Sequence, residues 1–232
     1  MATVVFLHAH PDDETINTGV TMAAYAAAGA MLGERAAAYA AEIVLKVHAT
    51  ALNRGEIVVG GVVHGGPEKL GGNEAAGVIT AVGAGVTQFK PGDKVFGRVR
   101  GGFAEYAIAP AHQILPLPAC LSFEQAASIP VSFLTAYEMI YPPYGKLKAG
   151  EWLLITGVSS GAGAACVQIA KILGAKTIGT SGSADKLEKL KGIGLDVAIN
   201  TRKPDFAAKV REITGGKGVD LAINLVGGTL FA

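Results

Sequence analysis

The sequence predicts an α/β chain in which a compact β domain precedes a parallel, doubly wound sheet, and three observations carry that prediction. Short β-like runs separated by Gly- and Pro-rich turns fill residues 41–121, strands and helices alternate from residue 122 onward, and no low-complexity linker or internal repeat interrupts either regime. Composition agrees: 50% hydrophobic and 17% charged residues over 232 positions describe a chain that buries a core and is not disordered. Lys+Arg at 20 against Asp+Glu at 19 leaves no electrostatic footprint for nucleic acid or an anionic membrane. Glycine, at 32 residues, is about twice average usage without a period, which points to tight turns and close backbone approaches. Two cysteines, Cys120 and Cys166, are too few for a disulfide framework or a four-Cys zinc site. No apolar run is long enough to span a bilayer, and MATVVFLHAHPDDE reaches two His and three acids too early for a secretory signal. A soluble, cytoplasmic protein is expected.

The elements follow in order. An apolar run, Val4 to Leu7, leads into a polar cluster from His8 to Glu14 and an alanine-rich helical stretch from Ile16 to Ala28, with Gly29 as its stop. Strand, polar loop and helix read as one βα unit of an α/β layer over residues 1–40. EIVLKVHATAL then alternates, and β-like runs recur at Ala76–Val82, Lys94–Val99 and Phe103–Ile108, with turns at Gly83–Gly85 and Pro91–Gly92–Asp93. This is a barrel-like β domain, residues 41–121. Ser122, followed by Glu124 and Gln125, begins a helix and the third segment, residues 122–232. Strands at Trp152–Thr156, Lys176–Thr180, Asp196–Asn200 and Val219–Val226 alternate with helices at Ala162–Leu173, Ala184–Ile193 and Phe206–Thr214. That spacing implies a parallel sheet.

The sharpest chemistry lies in WLLITGVSSGAGAACVQIAKILGA. An apolar strand enters Gly157–Val158–Ser159–Ser160–Gly161–Ala162–Gly163 and passes directly into a helix. Small residues let the backbone approach a pyrophosphate, whose charge the helix N-terminus stabilises through unpaired N–H groups and the dipole. It is not a strict G-x-G-x-x-G, so the strand before and the helix after carry the reading; the bland alternative is a tight strand–helix turn. An NAD site usually places an acid at the end of the second strand. Here Thr180–Ser181–Gly182–Ser183–Ala184 has none before Asp185, and Lys186 follows. Hydroxyls and a cation in place of a carboxylate favour a 2′-phosphate, hence NADP(H), although Lys186 equally suits a solvated helix face.

GNEAAGVITAVGAGVTQFKPGDKVFG, GGFAEYAIAP, SFEQAASIPVSFLTAYEMI and ITGVSSGAGAACVQIAKILGA, in that order, resemble the medium-chain dehydrogenase/reductase superfamily, and within it the zinc-independent quinone oxidoreductase branch. The resemblance covers about residues 41–232. It implies a GroES-like β domain on a Rossmann domain, NADPH in the cleft between them, and hydride transfer to a small-molecule electron acceptor, a quinone or another activated alkene or carbonyl. Zinc-dependent relatives supply a Cys and the His of a Gly-His-Glu motif where this chain has Asn53 and Asn73, with Glu74 retained. An amide is a poor zinc ligand beside thiolate and imidazole. The structural-zinc Cys cluster is also missing, so no metal is expected, and the protein's part is positioning and a dry, polarising pocket.

The same resemblance assigns roles. Asn53, in ALNRGE, is the amide near nicotinamide and substrate, and Thr135, in FLTAYE, the hydroxyl beside the nicotinamide ring; for both, turn and cap chemistry is the alternative. Ser159, Ser160, Gly161, Ala162 and Gly163 would hold the pyrophosphate, Ser181, Gly182 and Lys186 the adenosine ribose phosphate, and Thr201 with Gly227–Gly228 the rest of the cofactor. A tyrosine often found a few residues after the Asn is replaced by Val58, which leaves the proton donor unassigned.

Residues 1–40 resemble a different family. FLHAHPDDETINTG is similar to the PIG-L family of zinc-dependent N-acetylglucosaminyl deacetylases, and that resemblance makes His10 and Asp13 zinc ligands and Asp12 the base that activates a bound water. Catalytic zinc wants three protein ligands, and the family's later His-x-x-His segment has no match; His48, His64 and His112 are isolated. A polar loop in a composite chain is the expected state of His10–Glu14. At the other end, a Rossmann sheet runs 3-2-1-4-5-6, and the sequence stops just after its fourth strand, at Leu230–Phe231–Ala232. The sequence reading therefore expects a truncated sheet with strand 4 at an exposed edge, the dimer edge of relatives missing, and activity weakened or lost. The leading expectation is an NADPH-dependent, zinc-free reductase. A zinc deacetylase and a non-catalytic nucleotide-binding remnant are its alternatives.

Overall fold

The computed structural model describes residues 3–6, 40–53, 56, 71–202 and 206–226, and the chain divides into two compact units, Met1–Val131 and Ser132–Ala232. In the first unit β1 (Thr3–Phe6), β2 (Glu42–Leu52), β3 (Glu74–Val82), β4 (Lys94–Arg98), β5 (Tyr106–Pro110) and β6 (Ile114–Pro116) form one sheet in the order β1-β2-β3-β4-β6, with β5 also on β2. Strand β2 is long enough to use one edge twice. Its first half, Glu42–Lys46, pairs antiparallel with β5, and its second half, Ala49–Leu52, pairs parallel with β1, while β3 occupies the opposite edge.

The first apolar run thus joins this sheet by parallel pairing with β2, rather than opening a separate α/β layer. The helix expected over residues 16–28 lies outside the described residues. Register shifts between Val44 and Leu45 and between Val47 and Ala49 interrupt the period-2 alternation, so β2 buries side chains on both faces. One face contributes Ile43, Leu45 and Val47 to a core with Ile79, Val95 and Ile114. The other sets Ala49 against Ala76, Phe96 and the two alanines, Ala126 and Ala127, of helix α1 (Phe123–Ala127). Helix α1 starts where Ser122, Glu124 and Gln125 said it would. The Ser122 hydroxyl accepts the Gln125 N–H and the Gln125 side chain accepts the Ser122 N–H, a reciprocal capping box. The helix packs on β2 and β3, and the division between the units falls after it.

Helix α2 (Pro130–Ile140) leads into the second unit. There β7 (Trp152–Thr156), α3 (Gly161–Leu173), β8 (Lys176–Ser181), α4 (Ala184–Lys191), β9 (Val197–Asn200), α5 (Phe206–Ile213) and β10 (Leu221–Asn224) alternate, and all the strand pairings are parallel in the order β10-β7-β8-β9. Leu153 and Ile155 of β7, Val167 and Ala170 of α3, Leu187 and Leu190 of α4 and Ile223 of β10 are buried in one core cluster. The chain leaves β7 toward β8 on one side, and β10 returns on the other. That reversal puts the carboxyl end of β7 at the topological switch point, where open α/β sheets bind ligands.

Candidate functional site

The turn after β7 is built for close approach. Gly157 sits at φ +65°, a left-handed conformation that side chains rarely adopt, and starts the turn that carries Ser159 and Ser160. Ser160 caps α3: its hydroxyl accepts the Gly163 N–H at 3.1 Å. A Cβ on Gly163 would lie 2.6 Å from the Val158 carbonyl oxygen, so this glycine lets the helix start against the turn that feeds it. Among the described residues, the Gly161 and Ala162 N–H groups have no hydrogen-bond partner, as expected for the first turn of a helix. Those donors at a positive helix end form a seat for an anion.

The ends of β8 and β9 add hydroxyls. Ser159 Oγ and Ser181 Oγ lie 3.0 Å apart, Ser181 Oγ accepts the Ser183 N–H at 3.3 Å, and the Thr201 N–H donates to the Ser181 carbonyl at 3.1 Å. Ser183 caps α4 by accepting the Lys186 N–H, which places Lys186 in the first turn of that helix. A Cβ on Gly182 would have as its nearest neighbours Arg202 Nε at 3.7 Å, Arg202 Cγ at 3.9 Å and Thr201 Oγ1 at 3.9 Å. The structure thus brings Ser159, Ser181, Gly182 and Thr201 together and adds a cation, Arg202, that the sequence reading passed over. Its signal was available, since Arg202 is the first charge after the third parallel strand. Farther along the switch point, Thr156 Oγ1 donates to Asn224 Oδ1 at 2.6 Å and accepts the Leu225 N–H, tying the loop after β10 to the end of β7. Gly228, His10, Asp12 and Asp13 lie outside the described residues.

In the first unit a second cluster surrounds Asn53, at the end of β2. Its side-chain Nδ2 donates to Glu74 Oε1 at 2.6 Å, and its backbone N–H donates to Glu56 Oε2 at 2.9 Å. Glu56 Oε1 accepts the Asn73 N–H, and Glu74 Oε2 accepts the Val131 N–H at 2.7 Å. Glu74 is fully buried, and its carboxylate satisfies donors from two distant segments of the chain, Asn53 and Val131. Sequence reasoning retained Glu74 only as a motif residue and did not single out Glu56. Thr135 lies exposed on α2.

Burial pushes the Glu74 carboxyl above its ordinary value of 4.5; the Val131 N–H and the Asn53 amide pull it back, Glu56 raises it and Arg98 lowers it, and the net shift is upward. A raised folded value means that the stabilising contribution is complete below 4.5 and is lost as pH rises through the folded value. The stability of the native chain relative to a Glu74→Gln variant is therefore expected to fall with rising pH above 4.5, measured by urea unfolding across a pH series. A relative stability that rises over that interval would contradict the shift.

Comparison with known proteins matches both halves. Residues 39–119 match the alcohol dehydrogenase GroES-like domain family, and residues 161–232 match the zinc-binding dehydrogenase family. Human quinone oxidoreductase is 35% identical over 190 residues, which cover 80% of this chain and 57% of that protein, so the chain spans less than two thirds of the relative it matches. The solved structure of Escherichia coli quinone oxidoreductase complexed with NADPH superimposes with a TM-score of 0.74 at 33% identity, over 83% of this chain and 60% of that one. The CurK enoyl reductase gives a TM-score of 0.74 at 30% identity, over 83% and 61%. The resemblance of residues 1–40 to the deacetylases finds no support in these matches, which begin at residue 39. On two family models and these relatives, the chain belongs to the medium-chain dehydrogenase/reductase superfamily, in its quinone oxidoreductase branch.

Proposed function

We propose that this chain carries an NADPH-dependent reductase that delivers hydride to a quinone or a related activated alkene or carbonyl. The observation that carries the cofactor choice is the end of β8, where Ser159, Ser181, Gly182, Thr201 and Arg202, none of them a carboxylate, gather hydroxyls and a cation. Such a lining suits a ribose 2′-phosphate and leaves the ribose of NAD without its usual acidic partner. The Gly161 and Ala162 N–H groups, at a helix start that Gly163 lets pack closely on Val158, fit the pyrophosphate. NADPH, when bound, supplies the hydride. The chain's own residues bind and orient: Ser159 to Gly163 the pyrophosphate, Ser181, Gly182, Lys186 and Arg202 the 2′-phosphate, Thr201 and Gly228 further parts of the nucleotide, and Asn53 with Thr135 the reacting groups.

A zinc ion does not fit where zinc-dependent relatives place one. Asn53 turns a nitrogen that already carries two hydrogens toward two carboxylates, and the exposed Asn73 engages Glu56 through its backbone N–H. Neither amide is the thiolate or imidazole that zinc selects, and no step of the proposed reaction runs through a metal.

Fluorescence titration with NADPH and NADH tests the reading. Replacing Arg202 by Ala is expected to weaken NADPH binding about tenfold, the loss of one charge-assisted contact, while leaving NADH binding unchanged. An equal loss for both nucleotides would remove Arg202 from the 2′-phosphate site, and failure of the native chain to bind NADPH would sink the proposed function.

A further inference from the structure

Asn53 faces two acids, and their chemistry determines which end of its amide is turned outward. Glu74 Oε1 lies 2.6 Å from one side-chain terminus of Asn53, and Glu56 Oε2 lies 3.5 Å from the same terminus. An ionised carboxylate only accepts hydrogen bonds. With Glu74 ionised, the terminus facing it is the NH2 group, because an amide oxygen there would set two acceptors against each other. Glu74 cannot swing away, since it is fully buried and its second oxygen holds the Val131 N–H. Among the described residues Asn53 Oδ1 has no partner, and Asn53 itself is only partly buried.

We propose that Glu74 fixes the polarity of the Asn53 amide, so that its carbonyl Oδ1 is the atom offered to a ligand and the ligand group it takes is a hydrogen-bond donor, N–H or O–H. This rests on the reading of Asn53 as a residue that serves the reacting groups. It has a chemical consequence: Asn53 does not polarise a substrate carbonyl by donating to its oxygen. It orients a donor, such as a nicotinamide carboxamide N–H or the hydroxyl of a reduced quinone. Glu74 is a positioning residue that acts through Asn53.

Glu74→Gln inverts the arrangement at nearly constant shape. A glutamine that still accepts the Val131 N–H with its oxygen presents NH2 to Asn53, which then turns its own oxygen inward and its NH2 outward. The test is titration calorimetry on the native chain and on Glu74→Gln with two ligand pairs. The first pair is NADPH and its 3-acetylpyridine analogue, which replaces the carboxamide N–H by a methyl group. The second is 1,4-hydroquinone and its dimethyl ether, titrated in the presence of NADP.

The expected result is that the native chain prefers the donor-bearing member of one pair about tenfold, and that Glu74→Gln abolishes or reverses the preference. A preference in the first pair assigns the contact to the cofactor, and in the second to the quinol. No preference in either pair, or one that survives Glu74→Gln, overturns the proposal. If both nucleotides bind and neither pair shows a preference, the NADPH reading stands and only the polarity inference fails; if neither nucleotide binds, both fall. Hydrogen exchange at the Asn53 side-chain amide, read by NMR on the native chain, tests the inward NH2 without any ligand: slow exchange is expected, and exchange as fast as at a solvated amide overturns the inference even if Glu74→Gln does not fold.

Discussion

A Gly163→Ala chain is expected to bind NADPH about tenfold to hundredfold more weakly than the native chain, and to unfold more readily by about 1–3 kcal/mol. Two effects compete. Alanine is a better helix former than glycine by about 1 kcal/mol, which alone would stabilise α3. Against that, the added Cβ would lie 2.6 Å from the Val158 carbonyl oxygen and 2.7 Å from the Val158 carbonyl carbon and Cα. These are backbone atoms of the turn, so relief requires moving either the turn or the helix start. Because Val158 is itself fully buried, the turn has little room to give. The same movement displaces the Gly161 and Ala162 N–H groups that form the anion seat. Overlap is therefore expected to outweigh propensity, and thermal unfolding together with fluorescence titration decides the matter. A raised Tm with unchanged NADPH affinity would show that the close approach has no energetic consequence.

Glu74→Leu is the second large effect, expected to cost about 2–4 kcal/mol, whereas Glu74→Gln should cost about 1 kcal/mol or less. Leucine removes the unfavourable burial of a carboxylate, which works in its favour. It also strands the Val131 N–H and the Asn53 amide, whose acceptors are the two Glu74 oxygens. An unmet donor costs up to about 1–3 kcal/mol where it is shielded from water, and the loss of acceptors for these two part-buried donors is expected to exceed the relief from desolvation. Glutamine keeps one acceptor and one donor in place. Urea unfolding of both variants measures the difference; a leucine variant as stable as the native chain would mean that the carboxylate is net unfavourable and that its bonds only fix geometry.

Much of the second unit was legible because its rules are local. The apolar run Trp152–Thr156 is β7 as the sequence reading placed it, and the strand predicted at Lys176–Thr180 is β8, one residue longer. A helix start was readable where a capping residue was recognised, as with Ser122 before α1, whereas the caps Ser160 of α3 and Ser183 of α4 emerged only from the structure. In the first unit the turns misled. The run predicted over Phe103–Ile108 becomes a strand only from Tyr106, because the Gly102 and Phe103 N–H groups bond to the carbonyls of Gly72 and Gly71 rather than to a ladder. The pairing of β1 with β2 was also hidden, since a short apolar run does not declare its partner.

By itself the sequence determined the alternation of strands and helices from β7 onward, the glycine-rich turn between β7 and α3, and the family, because hydrophobic period and glycine placement act over a few neighbours. Only the tertiary structure decided the two arrangements on which the proposed function rests. Asn53, Glu56, Glu74 and Val131 are brought into one hydrogen-bonded cluster across as many as 78 positions of the chain, from Asn53 to Val131. Arg202 reaches Gly182 because β8 and β9 end side by side. The physical reason is common to both. A buried carboxylate or a convergent cation gains its role from the donors and hydroxyls that packing sets against it, and sequence separation carries no record of that meeting.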